Sequence, residues 1–537
     1  MRVALLLALL VSLFGCSRTC PVAEAARPAR APHFVVVAGT NTATQIILLT
    51  TRAVADGGTA LTVEPIHDYT NNAGTTMATA SYWLDQRSRW HDALGRDMRG
   101  TGIGTRPVVP PGLPDGAFVT IGGATSVVHF PLDEQNYGDD AGVITTDAGV
   151  LPGEPTHLWE FVWPVPTPAP EPGATLPQLA DLIVIPQNAP DPDIAVVSRT
   201  VVNQGGGVLS GGETFILNVD DPAHVVSLAT VSLDMYADAG LHAAAANFVY
   251  DEHVLYAAID HQNYSQMNPI YGGGLVAIVD PSMRSIRTVL HIPTLTNCTQ
   301  IAPYVRPSDD TEPPTLRRMV VTCMGTAPGA IGTPPPDAGF VYLRYDATQP
   351  DRLPSIERTI TATSLGVPRP DGGTMPLWGH WLAYVSRGSP APAFSDRLMV
   401  VNLDTNASQV LTSAPAANGV SIYGLGRGAF DPSSGVLVVP NGFDGVLTWW
   451  FPSDAHTFEA TSYVFPDATS VAIVDCGHVA AGVARVIGSG SGSVLPMIDA
   501  GMPPTDAAVA PDDMGSPPVD AGHDAAVIPD DTDVDAG

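Results

Sequence analysis

Between residues 33 and 487 the hydrophobic positions fall into short continuous or alternating runs, separated by segments rich in Gly, Asn and Pro. Runs of this length built from β-branched and aromatic residues predict strands, because an amphipathic helix needs a longer stretch at a 3.6-residue period. Seven such runs open a recurring unit, at residues 33–37, 117–121, 182–185, 254–257, 319–322, 381–385 and 436–439. Each is followed by a loop and a partner run, at 45–49, 126–130, 214–219, 275–279, 340–345, 398–403 and 446–451. Several partner runs end at an Asp (Asp220, Asp280, Asp346 and Asp404), before a third run such as 285–290 or 356–360. A carboxylate there satisfies the amides of a tight turn between adjacent antiparallel strands.

The six intervals from Phe34 to Val436 average 67 residues. That exceeds the roughly 40–45 of a WD repeat but suits four-stranded blades with long loops. The spacing predicts an all-β chain and favours a β-propeller over a sandwich, with seven blades the expected number within a range of six to eight. Residues 254–258 (VLYAA), 274–281 (GLVAIVDP) and 285–289 (SIRTV) resemble the successive strands of the YVTN-type propeller repeat, and residues 436–451 are a second, looser match. The resemblance covers about 150 residues well; it implies the fold and transfers no chemistry. The first unit begins with its second strand at His33, so a late segment, 471–475 or 479–487, is expected to supply the missing inner strand and close the ring. Residues 76–95 read as a short inserted helix, and 164–177 as a polyproline-like loop.

Composition sharpens this picture. With 51 Pro and 52 Gly, long helices cannot dominate, while 45% hydrophobic residues suffice for a sizeable core. The chain carries 54 acidic and 24 basic residues, a formal charge of −30, so nucleic acid is excluded as a partner. Ten Asp and no Arg fall in the last 39 residues. Residues 488–537, Gly/Ser-rich and then Asp/Ala/Pro-rich, are therefore expected to form a disordered acidic tail, because they bury too little to offset their ordering entropy.

Met1-Arg2 precedes an apolar run at 3–15, too short to span a bilayer and of the length of a signal peptide's core. It ends in Leu13-Phe14-Gly15-Cys16, which resembles the bacterial lipobox with Phe14 at a position that usually holds a smaller residue. The resemblance implies a signal peptide over 1–15, lipidation of Cys16, a linker over 16–32 and, with Ser17 next, an outer-membrane or periplasmic lipid-anchored address. Ordinary secretion with cleavage near Ala23-Glu24-Ala25 is the alternative.

Candidate chemistry is sparse. His380 and His478 directly follow a Gly and His242 lies in Gly-Leu-His, each near an expected strand start. Converging on a central channel, three imidazoles would form a metal site, although no HxH or HExxH spacing supports one. Asp531, Asp533 and Asp535 imitate half of a Ca²⁺ loop without its closing Glu. Gly424, Gly426 and Gly428 read as small residues where inner strands crowd the axis, and the 488–492 Gly-Ser repeat as linker. Arg87, Arg89, Arg96, Arg99 and Arg106 form a basic cluster that reads as a solvated face, and Trp159, Trp163, Trp449 and Trp450 form aromatic clusters suited to core or to partner contact. In an oxidising compartment four cysteines other than Cys16 permit two disulfides, Cys298 to Cys323 across adjacent strands and Cys20 to Cys476 at the ring closure. The expectation is a cell-envelope lipoprotein whose propeller is a non-catalytic binding or scaffolding module for a protein or carbohydrate ligand, with no cofactor. A propeller hydrolase or lyase with a metal or His/Asp site at the channel is the alternative.

Overall fold

A run such as Val254 to Ile259, apolar at every position, suits a strand only when both of its faces are covered. In the computed structural model they are. The strand Val254–Gln262 sends Val254, Tyr256 and Ala258 into a core shared with the following sheet, and Leu255, Ala257 and Ile259 into one shared with the preceding sheet. The structure describes most of residues 179–431 and, beyond that span, strands between residues 34 and 162 and between 436 and 485.

Among the described residues there are seven four-stranded antiparallel sheets. Blade 1 pairs Val479–Arg485, Phe34–Gly39, Thr44–Ala53 and Thr59–Asp68, in that spatial order. Blade 2 holds Pro107–Val108, Gly116–Ile121, Ser126–Pro131 and Trp159–Val162. Blade 3 holds Leu179–Ile185, Ile194–Arg199, Thr214–Asn218 and Val226–Val231. Blade 4 holds His242–Asp251, Val254–Gln262, Gly273–Asp280 and Ser285–Thr296. Blade 5 holds Gln300–Pro303, Leu316–Cys323, Gly339–Asp346 and Ser355–Thr361. Blade 6 holds Gly372–Pro376, Trp381–Ser386, Ser395–Asn402 and Ser408–Pro415. Blade 7 holds Ala429–Asp431, Val436–Asn441, Gly445–Trp450 and Thr469–Val471.

The first strands of blades 2 to 7 touch one another in succession, and Val479–Arg485 completes the circle by touching the first strands of blades 7 and 2. Residue Arg427, on the approach to blade 7, bridges Gly482 in parallel, so these inner segments run the same way. The chain is thus a seven-bladed β-propeller closed by a late strand, as the missing inner strand at His33 predicts. Closure uses 479–485 and not 471–475.

Apolar clusters fill the interfaces between blades 3 and 4, 4 and 5, 5 and 6, and 6 and 7. Around the axis a polar chain ties the inner strands together. A β-bulge between Ala245 and Asn247 sets Asn247 at this position; its Nδ2 donates to buried Asp181 of blade 3 at 2.6 Å, and its Oδ1 accepts from Ile301 N of blade 5 at 2.9 Å. Close approach explains one glycine of the 424–428 motif: a Cβ on Gly428 would stand 2.2 Å from Val438 O.

Blade 3 departs from the sequence reading. Runs 182–185 and 214–219 are not neighbours, because Ile194–Arg199 lies between them. The Cys298–Cys323 disulfide is present and joins the approach to the first strand of blade 5 to the end of its second. Cys16, Cys20, Cys476, His478, the Arg87–Arg106 cluster, the helix expected at 76–95, the loop at 164–177 and the tail with Asp531, Asp533 and Asp535 lie outside the described residues, as do the side chains of Trp159, Trp163, Trp449 and Trp450.

Candidate functional site

Each blade has two ends. At the turn end lie the connections from first to second and from third to fourth strand. At the loop end lie the connections from second to third strand and from blade to blade. His242 begins the first strand of blade 4, at the loop end, whereas His380 lies in the first turn of blade 6, at the turn end. The two histidines therefore do not converge on one site. Among the described residues no group of three His, Cys, Asp or Glu side chains could hold a metal ion.

At the turn end, His380 is clamped between blades 5 and 6. Its Nε2 stands 3.0 Å from Asp404 Oδ2, its Nδ1 3.1 Å from Tyr342 Oη, and Tyr304 Oη 3.4 Å from Nε2. Arg358 pairs with Asp404 Oδ1 at 2.7 Å and lies over the Tyr342 ring at 5.3 Å. The His380 hydrogen bond holds the Asp404 carboxyl below the usual carboxylate range, while burial, reinforced by Asp404, pushes the Tyr342 phenol up. With both ring nitrogens engaged, the imidazole bridges blades and leaves no nitrogen for a substrate. Asp280 and Asp346 satisfy turn amides as the sequence suggests, accepting from Met283 N and Thr348 N. Asp404 does not: Asn402 Oδ1 accepts from Asp404 N and Thr405 N, which frees the Asp404 carboxylate for His380.

Between blades 4 and 5 the same end holds Asp251, which pairs with Arg317, with Arg352 at 3.0 Å and with Tyr345 Oη at 2.8 Å. Tyr256 Oη donates to Arg352 O at 2.8 Å, so burial and these charges fix one compact knot. Sequence reading found none of the three partners of Asp251, since they lie 66 to 101 positions from it.

The loop end of blades 3 and 4 is built differently. The second and third strands of blade 3 are separated by a small hairpin, Val201–Asn203 with Leu209–Gly211. The connection to blade 4 carries the short 3-10 helix Asp234–Tyr236, and residues 263–272 cross from its second to its third strand. Side-chain hydrogen bonds fasten these pieces: Asn203 Nδ2 donates to Tyr264 O at 3.1 Å, and Asp234 Oδ1 accepts from Ala243 N at 2.9 Å. Buried His261 accepts from Asp238 N at Nε2, 3.1 Å, which leaves Nδ1 to donate to Gly273 O at 3.0 Å. A Cβ on Gly272 would come 2.3 Å from that ring, so the crossing segment needs glycine there. Asp260 is held by Gln262 and Tyr264, and burial pushes its carboxyl up.

Between these pieces lies a cavity of about 330 Å³ lined by Val201, Leu209, Glu213, Ser232, Asp234 and His242 among others. His242 Nδ1 stands 3.4 Å from Asp234 Oδ2. Beside the cavity-bearing connections, Val208 is 62% exposed, Met235 79% and Ile270 58%. Isolated exposed apolar residues are ordinary; these three lie on three connections of the same end, and Met283 and Leu353 are exposed at the turn end.

No family model matches the chain and no curated protein matches it. Solved structures do resemble it. The Cps50 (Swd1) β-propeller domain from Myceliophteria thermophila is 10% identical with a TM-score of 0.37, covering 78% of this chain and 96% of that one. The Pan2 WD40 domain of Neurospora crassa is 11% identical with a TM-score of 0.34, covering 78% and 89%. The GH93 α-L-arabinofuranosidase of Fusarium graminearum, solved with arabinobiose, is 12% identical with a TM-score of 0.31, covering 63% and 87%. The propeller itself stands on the sheet pairings and on the closed ring of inner strands.

Proposed function

We propose that this chain is a cell-envelope lipoprotein, anchored through Cys16, whose propeller is a non-catalytic module that docks a protein partner on the loop end of blades 3 and 4. The observation that carries the docking reading is the placement of Val208, Met235 and Ile270 on three connections fastened to one another or to their blade. The hydrogen bonds of Asn203 and Asp234 hold the described parts of these connections before any partner arrives, which favours association. Large exposed apolar side chains of this kind supply the anchors of an interface.

The full chain with Met235→Asp and Ile270→Asp is expected to keep its thermal midpoint and lose at least tenfold in cross-linking to its envelope partner. An unchanged cross-linked species would remove this face as the docking site. For the anchor, Cys16→Ser is expected to accumulate as an uncleaved precursor or to leave the membrane fraction. Release of the wild-type protein by a salt wash alone would overturn lipidation.

A further inference from the structure

Three Asn-x-Ser/Thr triplets, the acceptor pattern for N-linked glycan, fall within the described residues, at Asn263, Asn297 and Asn406. The fold separates them. Asn297 is 3% exposed and adjoins the disulfide at Cys298, where a sugar has no room. Asn263 is part-buried, and its Oδ1 accepts from Ser265 N at 3.1 Å and from Ile270 N at 2.9 Å, which fixes the carboxamide against its own loop. Asn406 is exposed in the turn between the third and fourth strands of blade 6. Its backbone N donates to Asn402 O at 3.0 Å and its φ is 61°, a left-handed conformation that asparagine tolerates. Its side chain has no hydrogen-bond partner among the described residues. Asp404 stands two residues before it, a place held by His261 and Leu295 in the other two triplets. Residues 404–408, DTNAS, thus have the extended form, with an acid two residues before the asparagine, by which bacterial oligosaccharyltransferases recognise an acceptor.

We infer that Asn406 is an N-glycosylation site; this rests on the envelope address proposed above, because such transfer takes place outside the cytoplasm. The donor is an oligosaccharide carried on a polyprenyl diphosphate. A bond forms between Asn406 Nδ2 and the anomeric carbon of the first sugar as that carbon's bond to the diphosphate oxygen breaks. One Nδ2 proton passes to the medium, the diphosphate leaves with the bonding pair, and nothing is oxidised or reduced. In the finished ring Asp404 is committed to His380 and Arg358, so transfer belongs to the emerging chain, before blade 6 packs on blade 5. The exposure of Asn406 then lets the folded ring keep what was added. The glycan stands at the head of Ser408–Pro415, an outer strand with no charged residue, on which Val410 is 44% exposed. The outer strands of blades 4 and 5 carry Arg287 and the pair Glu357 and Arg358, so a bulky hydrophilic group on blade 6 blunts an edge that charge leaves unguarded.

The test uses the full chain purified from the envelope fraction of the cells that make it, cleaved after arginine and read by mass spectrometry of intact glycopeptides. The peptide 398–427 should carry one oligosaccharide, localised to Asn406. Asn406→Gln should abolish it, and Ser408→Ala, which leaves Asn406 in its turn, should do the same. Asp404→Asn should lower occupancy by about tenfold through loss of the charged contact with the transferase. A bare Asn406 in envelope-bound protein would overturn the inference and leave the address standing. Protein found only in the cytoplasm would overturn the address and the inference with it. A glycan that survives Ser408→Ala, or that sits on another residue of the peptide, would remove Asn406 as the acceptor, and full occupancy in Asp404→Asn would overturn the recognition argued from the acid.

Discussion

The turn end of blades 4 to 6 and the loop end of blades 3 and 4 use similar side chains to opposite effect. At the turn end, carboxylates, guanidinium groups and phenols from neighbouring blades close on one another, as Asp251 does with Arg317, Arg352 and Tyr345, and Asp404 with Arg358 and His380. At the loop end, side chains are spent on fastening backbone, as with His261 and Asn203, while large apolar groups face water at both ends, Met283 and Leu353 at the turn end and Val208, Met235 and Ile270 here. One end ties blades to each other through polar side chains; the other uses them to fix the course of its connections.

The sharpest break would come at Asp251. Asp251→Ala removes the carboxylate that joins buried Arg352 to part-buried Arg317, and is expected to cost about 3 kcal/mol in a urea titration. A cost under about 1 kcal/mol would mean that the knot is solvated and that the two ends do not differ as described.

Next in size is the disulfide. Cys298 and Cys323 are 25 positions apart and both fully buried, so their double replacement by Ser should cost about 3 kcal/mol, read as a lower urea midpoint. A midpoint unchanged by added reductant in the wild type would contradict a structural role.

The smallest effect sharpens the comparison by pH. The folded Asp404 carboxyl titrates below its ordinary value of 3.8, so its contribution is present above that value and is lost as pH falls through the lower folded one. The group is part-exposed, which limits the effect to under about 1 kcal/mol. Asp404→Asn should flatten the acid limb of the stability curve below about pH 4 and leave the limb above pH 5 in shape. An identical acid limb in wild type and variant would detach Asp404 from the latch.

Much of the fold is legible in the sequence because the middle strands bury both faces and so appear as unbroken apolar runs, Val254 to Ile259 being one and Leu382 to Val385 another. Reading fails where that signal thins. Pro107–Val108 and Ala429–Asp431 are too short to register, and in blade 3 the inner strand Leu179–Ile185 is itself a strong apolar run, so it stands in for the second strand and Ile194–Arg199 is passed over between it and Thr214–Asn218. The disulfide was legible because its cysteines sit at the ends of adjacent strands. His242 and His380 were marked by a nearby Gly, Gly240 and Gly379, and do lie at a strand start and in a turn, but period and spacing carry no information on which end of a blade each occupies. Asp404 looked like Asp280 and Asp346; only the neighbouring Asn402, which takes over the turn amides, releases it for His380.

The strand that closes blade 1 also sets a timetable. Phe34–Gly39 cannot gain its inner partner until Val479–Arg485 exists, and at a synthesis rate of about 5–20 residues per second that wait is roughly 20 to 90 s. Joining ends some 450 residues apart costs on the order of 5 kcal/mol in chain entropy unless the intervening blades have already folded and brought them together. During the wait the nascent sheet offers an open edge at Phe34–Gly39, a template for pairing with a second chain. The ring therefore makes its earliest strands its last to be protected, and places the hazard of misassembly at synthesis and delivery, before there is a finished molecule to denature.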